Sequence, residues 1–156
     1  MAASEIRPRR AAAQVRAALA DTRVVLINGA RQAGKSTLVK LVAGDRAVER
    51  RDLDRPQDRA AAVADPVGFV DQPGLLVIDE IQRVPELLLA IKVAVDDDPR
   101  AGRFLLTGSS RLFGMLAAPD ALPGRMETVE LWPFSQGELD GGPDGLSTPS
   151  STQVRA

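Results

Sequence analysis

Short apolar runs, bounded by glycine, proline or charged residues, set the hydrophobic pattern of this chain. Residues 24–27, 75–78 and 103–106 indicate buried strands, because near-continuous apolar runs are typical of parallel strands covered on both faces. The more charged segment 47–53 predicts an edge or half-exposed strand. Alternation over 126–131 predicts a last strand.

Helical patterns lie between these strands. Apolar spacing, together with the positions of proline and glycine, predicts helices over 9–20, 35–42, 57–64, 67–70, 85–95 and 112–116. Strands that alternate with helices predict an α/β fold, a three-layer α/β/α sandwich around a mostly parallel sheet. Such a sheet brings the carboxyl ends of its strands to one edge, where ligands of open α/β sheets bind.

The loop after the first strand carries the strongest functional motif. Residues 29–36 match the phosphate-binding pattern of a glycine, four residues and Gly-Lys-Ser. Gly29 and Gly34 permit a tight turn that points backbone N–H groups at phosphate oxygens, and the following helix start adds its own N–H groups. Lys35 would neutralise the outer phosphates, and the Ser36 hydroxyl would bind magnesium.

The predicted nucleotide contacts extend over the whole loop and the first helical residues. They are Gly29, Ala30, Arg31, Gln32, Ala33, Gly34, Lys35, Ser36 and Thr37. A glycine-containing turn that binds nothing is the alternative interpretation of this segment.

Two acids follow the second apolar run, at the predicted carboxyl end of its strand. Asp79 is expected to bind magnesium directly or through one of its other ligands, completing the site begun by Ser36. Glu80 could polarise a water molecule for in-line attack on the γ-phosphate. The alternative is that the pair caps a helix N-terminus.

Polar residues near the later strands are further candidates. The hydroxyls of Thr107 and Ser109 could hold the attacking water or the γ-phosphate, or could satisfy the backbone of a turn. Arg125 could reach phosphate in its own chain or in a neighbouring one and stabilise the transition state, or form a surface ion pair.

Composition limits the remaining chemistry. The chain has no cysteine and no histidine, which excludes disulfides, thiolate chemistry and histidine zinc sites and leaves carboxylates as general bases. The formal charge of −1 gives no overall case for nucleic-acid binding, so the arginines over 7–16 are a weak candidate arm. No apolar run is long enough to span a bilayer, and we expect a cytoplasmic protein. Residues 1–139 are expected to form one domain and residues 140–156 a disordered tail.

Four motifs in this order resemble one family, the AAA-type ATPase domain of bacterial and archaeal ATP-binding proteins. They are the segments 29–36, 76–85, 104–109, and 122–125 together with 130–135. The resemblance covers residues 15–139 and implies a core of about five strands of the AAA (ASCE) type.

The same resemblance implies specific roles for the candidate residues. Lys35 and Ser36 would belong to Walker A, and Asp79 and Glu80 to Walker B. Thr107 or Ser109 would be the sensor, and Arg125 the arginine finger, which in a homo-oligomer completes a neighbour's site.

Family members usually continue into a C-terminal domain of unknown function, whereas this chain departs from that pattern after residue 139. We therefore expect a shortened protein, without the lid that contacts adenine. The predicted function is an ATPase domain that binds MgATP and hydrolyses it to ADP and phosphate. The alternatives are a nucleotide-binding module or switch with little turnover, and a P-loop kinase of a small molecule. The sequence predicts no particular protein partner.

Overall fold

The computed structural model describes residues 3–30, 33–44, 48–109, 122 and 124–131, with the backbone alone for residues 3–9. In this part of the chain the helices are α1 (Ala3–Asp21), α2 (Lys35–Ala43), α3 (Pro56–Ala64), α4 (Pro66–Val70) and α5 (Leu87–Asp97). The strands are β1 (Val24–Gly29), β2 (Glu49–Asp52), β3 (Leu76–Asp79), β4 (Phe104–Gly108) and β5 (Met126–Leu131). A single 3-10 turn, Ile81–Arg83, follows β3.

The five strands form one sheet in the order β2-β3-β4-β1-β5, and every neighbouring pair is parallel. The register pairs Asn28 of β1 with Gly108 on one side and with Glu130 on the other, and it pairs Asp52 with Asp79. The carboxyl ends of all five strands therefore meet at one side of the sheet, termed here the carboxyl edge. The loops that follow β1, β3 and β4 leave from this edge.

Successive residues of the inner strands pack into two cores on opposite faces. On β1, Val24 and Leu26 join the core beneath α3, α4 and α5, whereas Val25 and Ile27 join the core beneath α1 and α2. Because both faces are covered, the strand carries an unbroken apolar run instead of an alternating one. This arrangement confirms the predicted three-layer α/β/α fold around a parallel sheet.

The strands agree with the predicted ones, apart from shifts at their ends. β5 has the predicted bounds, whereas β4 begins one residue later than predicted and continues to Gly108 because its pairing with β1 continues to Asn28. β1 likewise extends to Gly29, which pairs with Leu131. Pairing with a neighbour, and not apolar content, decides where these strands end. The predicted helix at 112–116 and the predicted tail at 140–156 lie outside the described residues.

β2 is the predicted edge strand, and all four of its residues are charged. Among the described strands it pairs with β3 alone, in a register that places Arg50 beside Val77 and Asp52 beside Asp79. Paired residues of parallel strands point to the same face, and side chains two apart share a face. Arg50, Asp52 and Asp79 therefore share the face of the sheet that α2 covers.

α1 starts earlier than predicted and packs against α2 and the sheet. Ala12, Val15 and Leu19 are buried in the core that α2 shares, and the Arg16 guanidinium donates a hydrogen bond to the Leu41 carbonyl. One arginine of the predicted basic arm is therefore engaged in the contact between two helices. Over the described ranges, no helix is both long and apolar enough to cross a membrane.

Candidate functional site

The loop between β1 and α2 holds a buried ammonium group. Lys35, the first residue of α2, is only 8% exposed. Its Nζ donates hydrogen bonds to the carbonyl oxygens of Gly29 (2.7 Å) and Ala30 (3.2 Å). These bonds fold the side chain back onto the beginning of the loop, so that the positive charge is held where the loop leaves the sheet. An anion that binds in this loop would meet that charge.

The two loop glycines are required for different reasons. Gly34 has φ +93°, a left-handed conformation that side chains rarely adopt, but a Cβ there would meet nothing within 4 Å. Gly29 lies against the end of β5, where a Cβ would come within 2.6 Å of the Leu131 carbonyl oxygen. Only glycine therefore fits at position 29 without moving the backbone.

The start of α2 has the features of an anion site. Gly34 is its N-cap residue and provides no side-chain hydrogen bond to the helix. The first N–H groups of a helix have no partner within the helix, and the helix dipole adds partial positive charge to them. Ser36 and Thr37 are exposed in the same turn. The helix start therefore offers backbone N–H groups and two hydroxyl groups beside the Lys35 ammonium.

Asp79, the last residue of β3, is buried and is held from both sides. Its Oδ1 accepts a hydrogen bond from the Thr107 hydroxyl of β4 (3.1 Å). Its Oδ2 accepts from Nε (2.8 Å) and Nη2 (2.7 Å) of Arg50 on β2. Burial of a carboxylate is costly unless it is paired and hydrogen-bonded, and here neighbouring strands on either side supply those partners.

Glu80 follows in a conformation that is rare for its residue type. Its φ of 63° and ψ of 49° are left-handed, and it is the only non-glycine with positive φ among the described residues. Such strain costs of order 1–3 kcal/mol and is found preferentially at functional sites. The Glu80 N–H donates to the Thr107 hydroxyl oxygen (3.0 Å), and the Glu80 carbonyl accepts from the Arg83 N–H (2.9 Å). The surroundings thus hold the strained backbone in place.

The side chain of Glu80 is held in turn by Gln82. The Gln82 Nε2 donates to Glu80 Oε2 (2.7 Å), and the Gln82 Oε1 accepts from the Ser109 N–H (3.4 Å). Gln82 therefore connects the half-exposed Glu80 carboxylate to the end of β4. Glu80 precedes a 3-10 turn but provides no side-chain cap to it, so its carboxylate does not perform the capping role considered from the sequence.

A polar cleft of about 480 Å³ opens between α2, β2 and the start of α3. It is lined by Ser36, Lys40, Arg50, Asp52, Arg55 and Asp58. Three cationic and two anionic side chains thus surround the Ser36 hydroxyl, and one of the cations is the partner of Asp79. The cleft therefore lies between the helix that follows the glycine loop and the arginine that pairs with Asp79.

Arg125 lies at the opposite side of the sheet. It immediately precedes β5, whose register pairs Met126 with Val24 and Leu131 with Gly29. Six strand residues therefore separate Arg125 from the level of the glycine loop, about 20 Å at 3.3 Å per residue. The Arg125 Nε donates to Asp96 at the end of α5. Arg125 is thus remote from the loop of its own chain.

The structure brings together most of the residues that the sequence predicted. The glycine loop, Asp79, Glu80, Thr107 and Ser109 lie at the carboxyl edge of the sheet. Thr107 is 1% exposed, and its observed hydroxyl contacts are with the acid pair instead of with solvent. Arg31 and Gln32 lie outside the described residues.

Sequence reasoning missed Arg50 and Gln82. Gln82 was visible only as a polar residue after the acid pair. Arg50 lies in a charged strand whose neighbour in the sheet the sequence did not reveal. Once β2 is placed beside β3, period-two alternation puts Arg50 and Asp79 on one face, and that would have been the signal.

Comparison with known proteins gives a family and close sequence relatives. The family described as an AAA domain matches residues 21–140. The uncharacterized protein Rv2008c of Mycobacterium tuberculosis is 42% identical over 127 residues, and so is the uncharacterized protein Mb2031c of Mycobacterium bovis. The match covers 81% of this chain but 29% of each relative, so the chain spans less than a third of their length.

Solved structures agree with the observed fold. The Walker-type ATPase PABY2304 of Pyrococcus abyssi is similar with a TM-score of 0.56 at 16% identity, over 94% of this chain and 58% of that one. RIF2 of Saccharomyces cerevisiae is similar with a TM-score of 0.52 at 11% identity, over 84% and 57% of the two chains. At these identities the likeness concerns the fold alone.

Proposed function

Since this chain belongs to the AAA domain family and is an AAA-type P-loop ATPase domain, we propose that it binds MgATP and hydrolyses it to ADP and phosphate. The observation that carries the proposal is the Thr107 hydroxyl, which ties Asp79 and Glu80 together at the same sheet edge as Lys35. Phosphoryl transfer needs positioning and charge stabilisation more than covalent chemistry, and these residues would supply both.

The glycine loop is proposed to bind the phosphates. Its backbone N–H groups and the uncapped start of α2 would donate hydrogen bonds to phosphate oxygens. Lys35 would exchange its two carbonyl partners for phosphate oxygens, which gain more from a positive charge than neutral carbonyls do.

The donor set fits a magnesium ion. Ser36 contributes a hydroxyl to the polar cleft, and Asp79 ends β3 with a carboxylate whose partner Arg50 lines that cleft. Hydroxyl and carboxylate oxygens are the ligands that this hard cation prefers. Bound there, magnesium would neutralise phosphate charge. Ser36 and Asp79 would hold it, directly or through water.

Glu80 is proposed as the residue that orients and deprotonates the attacking water. Its carboxylate is half-exposed at the carboxyl edge, and Gln82 fixes one of its oxygens at 2.7 Å. A general base must point at the water that it deprotonates. The strained backbone of Glu80, held by two hydrogen bonds, would set that direction. Thr107 is proposed as a positioning residue for both acids, and the Ser109 backbone would hold Gln82.

Arg125 is proposed to act on the site of another copy of this chain. The position at the amino end of β5 argues against a role in its own site, and the resemblance to AAA domains supports an arginine contributed in trans. A homo-oligomer would then be the active form.

We expect the wild-type protein to be stabilised against heat by MgATP and to release phosphate without any acceptor substrate. Phosphate release per subunit should rise steeply with protein concentration, because subunits complete one another's sites. Thermal melts and a phosphate-release assay over a concentration series measure both effects. Stabilisation without release would favour the nucleotide-binding switch, and ATP loss only with an added acceptor would favour a kinase.

Mixing two inactive variants tests the role of Arg125. Arg125→Ala and Glu80→Gln should each release little phosphate alone. An equimolar mixture should recover turnover, because an intact Glu80 on one subunit then meets an intact Arg125 on its neighbour. Activity of the mixture no higher than the mean of the two separate variants would contradict a role in trans. Asp96→Asn serves as the control, since it alters one contact of Arg125 but keeps the arginine.

A further inference from the structure

The Arg50 side chain covers one oxygen of the Asp79 carboxylate, the proposed magnesium ligand. Nε and Nη2 both donate to Oδ2, at 2.8 and 2.7 Å. A carboxylate oxygen has two lone-pair directions, so this fork uses both directions of Oδ2. The other oxygen, Oδ1, already accepts from Thr107 at 3.1 Å. Both oxygens of the Asp79 carboxylate therefore have partners, and those of Oδ2 come from Arg50, a residue that lines the polar cleft.

The polar cleft places Arg50 and Ser36 around the same space. Arg50 lines this cleft of about 480 Å³ together with Ser36, the proposed hydroxyl ligand. The Arg50 side chain is 38% exposed, whereas that of Asp79 is 8% exposed. The buried Asp79 carboxylate is held in place, whereas the half-exposed Arg50 side chain has room to move into the cleft.

The same cleft offers Arg50 a second resting place. Asp52 is two residues further along β2 on the same face, and Asp58 also lines the cleft. The Asp58 Oδ2 accepts from the Asp52 backbone N–H (2.8 Å), which holds the Asp58 carboxylate beside β2. Arg50 can therefore leave Asp79 without losing all anionic neighbours.

We propose that Arg50 is a latch on Asp79: it neutralises the carboxylate until a divalent cation displaces it, and so it sets how strongly magnesium assists nucleotide binding. This inference rests on the proposed MgATP function. A guanidinium and a magnesium ion cannot share Oδ2, since both are positive and Arg50 fills both hydrogen-bond directions. Metal binding therefore includes the cost of breaking two charge-assisted hydrogen bonds.

The test compares binding of a fluorescent, non-hydrolysable ATP analogue in EDTA and in saturating magnesium, and uses the ratio of the two dissociation constants. Arg50→Gln should increase the magnesium enhancement about tenfold, because the ion pair of Arg50 with Asp79 no longer has to be broken. Arg50→Lys keeps the charge but not the two-pronged hydrogen bonding. Its magnesium enhancement should fall between those of the wild type and Arg50→Gln. Arg55→Gln removes the same charge from the same cleft without touching Asp79, and its ratio should equal that of the wild type.

Asp79→Asn separates the latch from a merely structural ion pair. It should reduce the magnesium enhancement, and adding Arg50→Gln to it should change nothing further. A structural role for Arg50 would lower the melting temperature while leaving the ratio at the wild-type value, and that result overturns the latch. A ratio lower than wild type in Arg50→Gln also overturns it.

The two proposals fail in different ways. If the wild type binds the analogue in neither condition, the MgATP function fails and the latch fails with it. If the wild type binds and only the Arg50 ratios stay unchanged, the latch alone is wrong. Arg50→Lys keeps the comparison available should Arg50→Gln not fold.

Discussion

Glu80→Gln should nearly abolish phosphate release while leaving nucleotide binding intact. A general base contributes roughly 10²- to 10⁴-fold to a proton-transfer step, and the amide cannot accept the proton of the attacking water. The substitution is close to isosteric. The amide oxygen of the new residue can still accept from Gln82, and the left-handed backbone is held by the same Thr107 and Arg83 contacts. The substitution should therefore abolish hydrolysis and leave the fold intact.

The measurement is a pair of assays, phosphate release at saturating MgATP and binding of a fluorescent ATP analogue. Glu86→Gln is the matched control: Glu86 is exposed and makes no side-chain cap to α5, so its loss should leave both values near those of the wild type. Phosphate release that persists in Glu80→Gln would assign the base to another group. Loss of binding would show instead that the Glu80 carboxylate supports the nucleotide pocket itself.

Lys35→Ala should weaken nucleotide binding by about 10- to 100-fold, as expected for the loss of hydrogen bonds from a charged donor to phosphate. Hydrolysis should fall with it, because the same charge stabilises the transition state. The fold should survive: among the described residues the carbonyls of Gly29 and Ala30 lose a donor, and Ala30 is exposed to water.

The readout is a binding titration in EDTA and in magnesium, with a thermal melt of the ligand-free protein. Lys92→Ala is the control, since it removes the same charge from α5, in the layer on the other face of the sheet. Equal weakening of nucleotide binding in both variants would show that the loss of one positive charge, and not the position of Lys35, causes the effect. Unchanged binding in Lys35→Ala would contradict a phosphate role for the loop.

The sequence predicted the fold well because the inner strands are unbroken apolar runs. Val24 to Ile27 is buried on both faces, so the strand needs an unbroken apolar run and shows one. Gly29 is required by its neighbour Leu131 in β5, whereas the left-handed turn at Gly34, just before Lys35, is a backbone requirement that the loop meets locally. Local chemistry of this kind can be read without knowing what packs around it.

Features that depend on neighbouring strands could not be predicted in the same way. Arg50 and Asp79 are 29 residues apart in sequence, and only the pairing of β2 with β3 makes them partners. The sequence indicated a hydroxyl at Thr107, but whether it faces solvent or an acid depends on the β3 and β4 register. The sequence did not show at which end of the sheet Arg125 lies. The parallel pairing of β5 with β1 places it at the amino end.

The two glycines give the loop one fixed end and one pivot. At Gly29 the backbone is paired in the sheet and lies too close to the Leu131 carbonyl for even a methyl group. At Gly34 the backbone turns through a left-handed conformation with open space around it. Any adjustment of the loop to a phosphate group is therefore expected to rotate the backbone at Gly34. The sheet would remain stationary, and so would α2, because its residues Leu38, Val39 and Val42 are buried in the core.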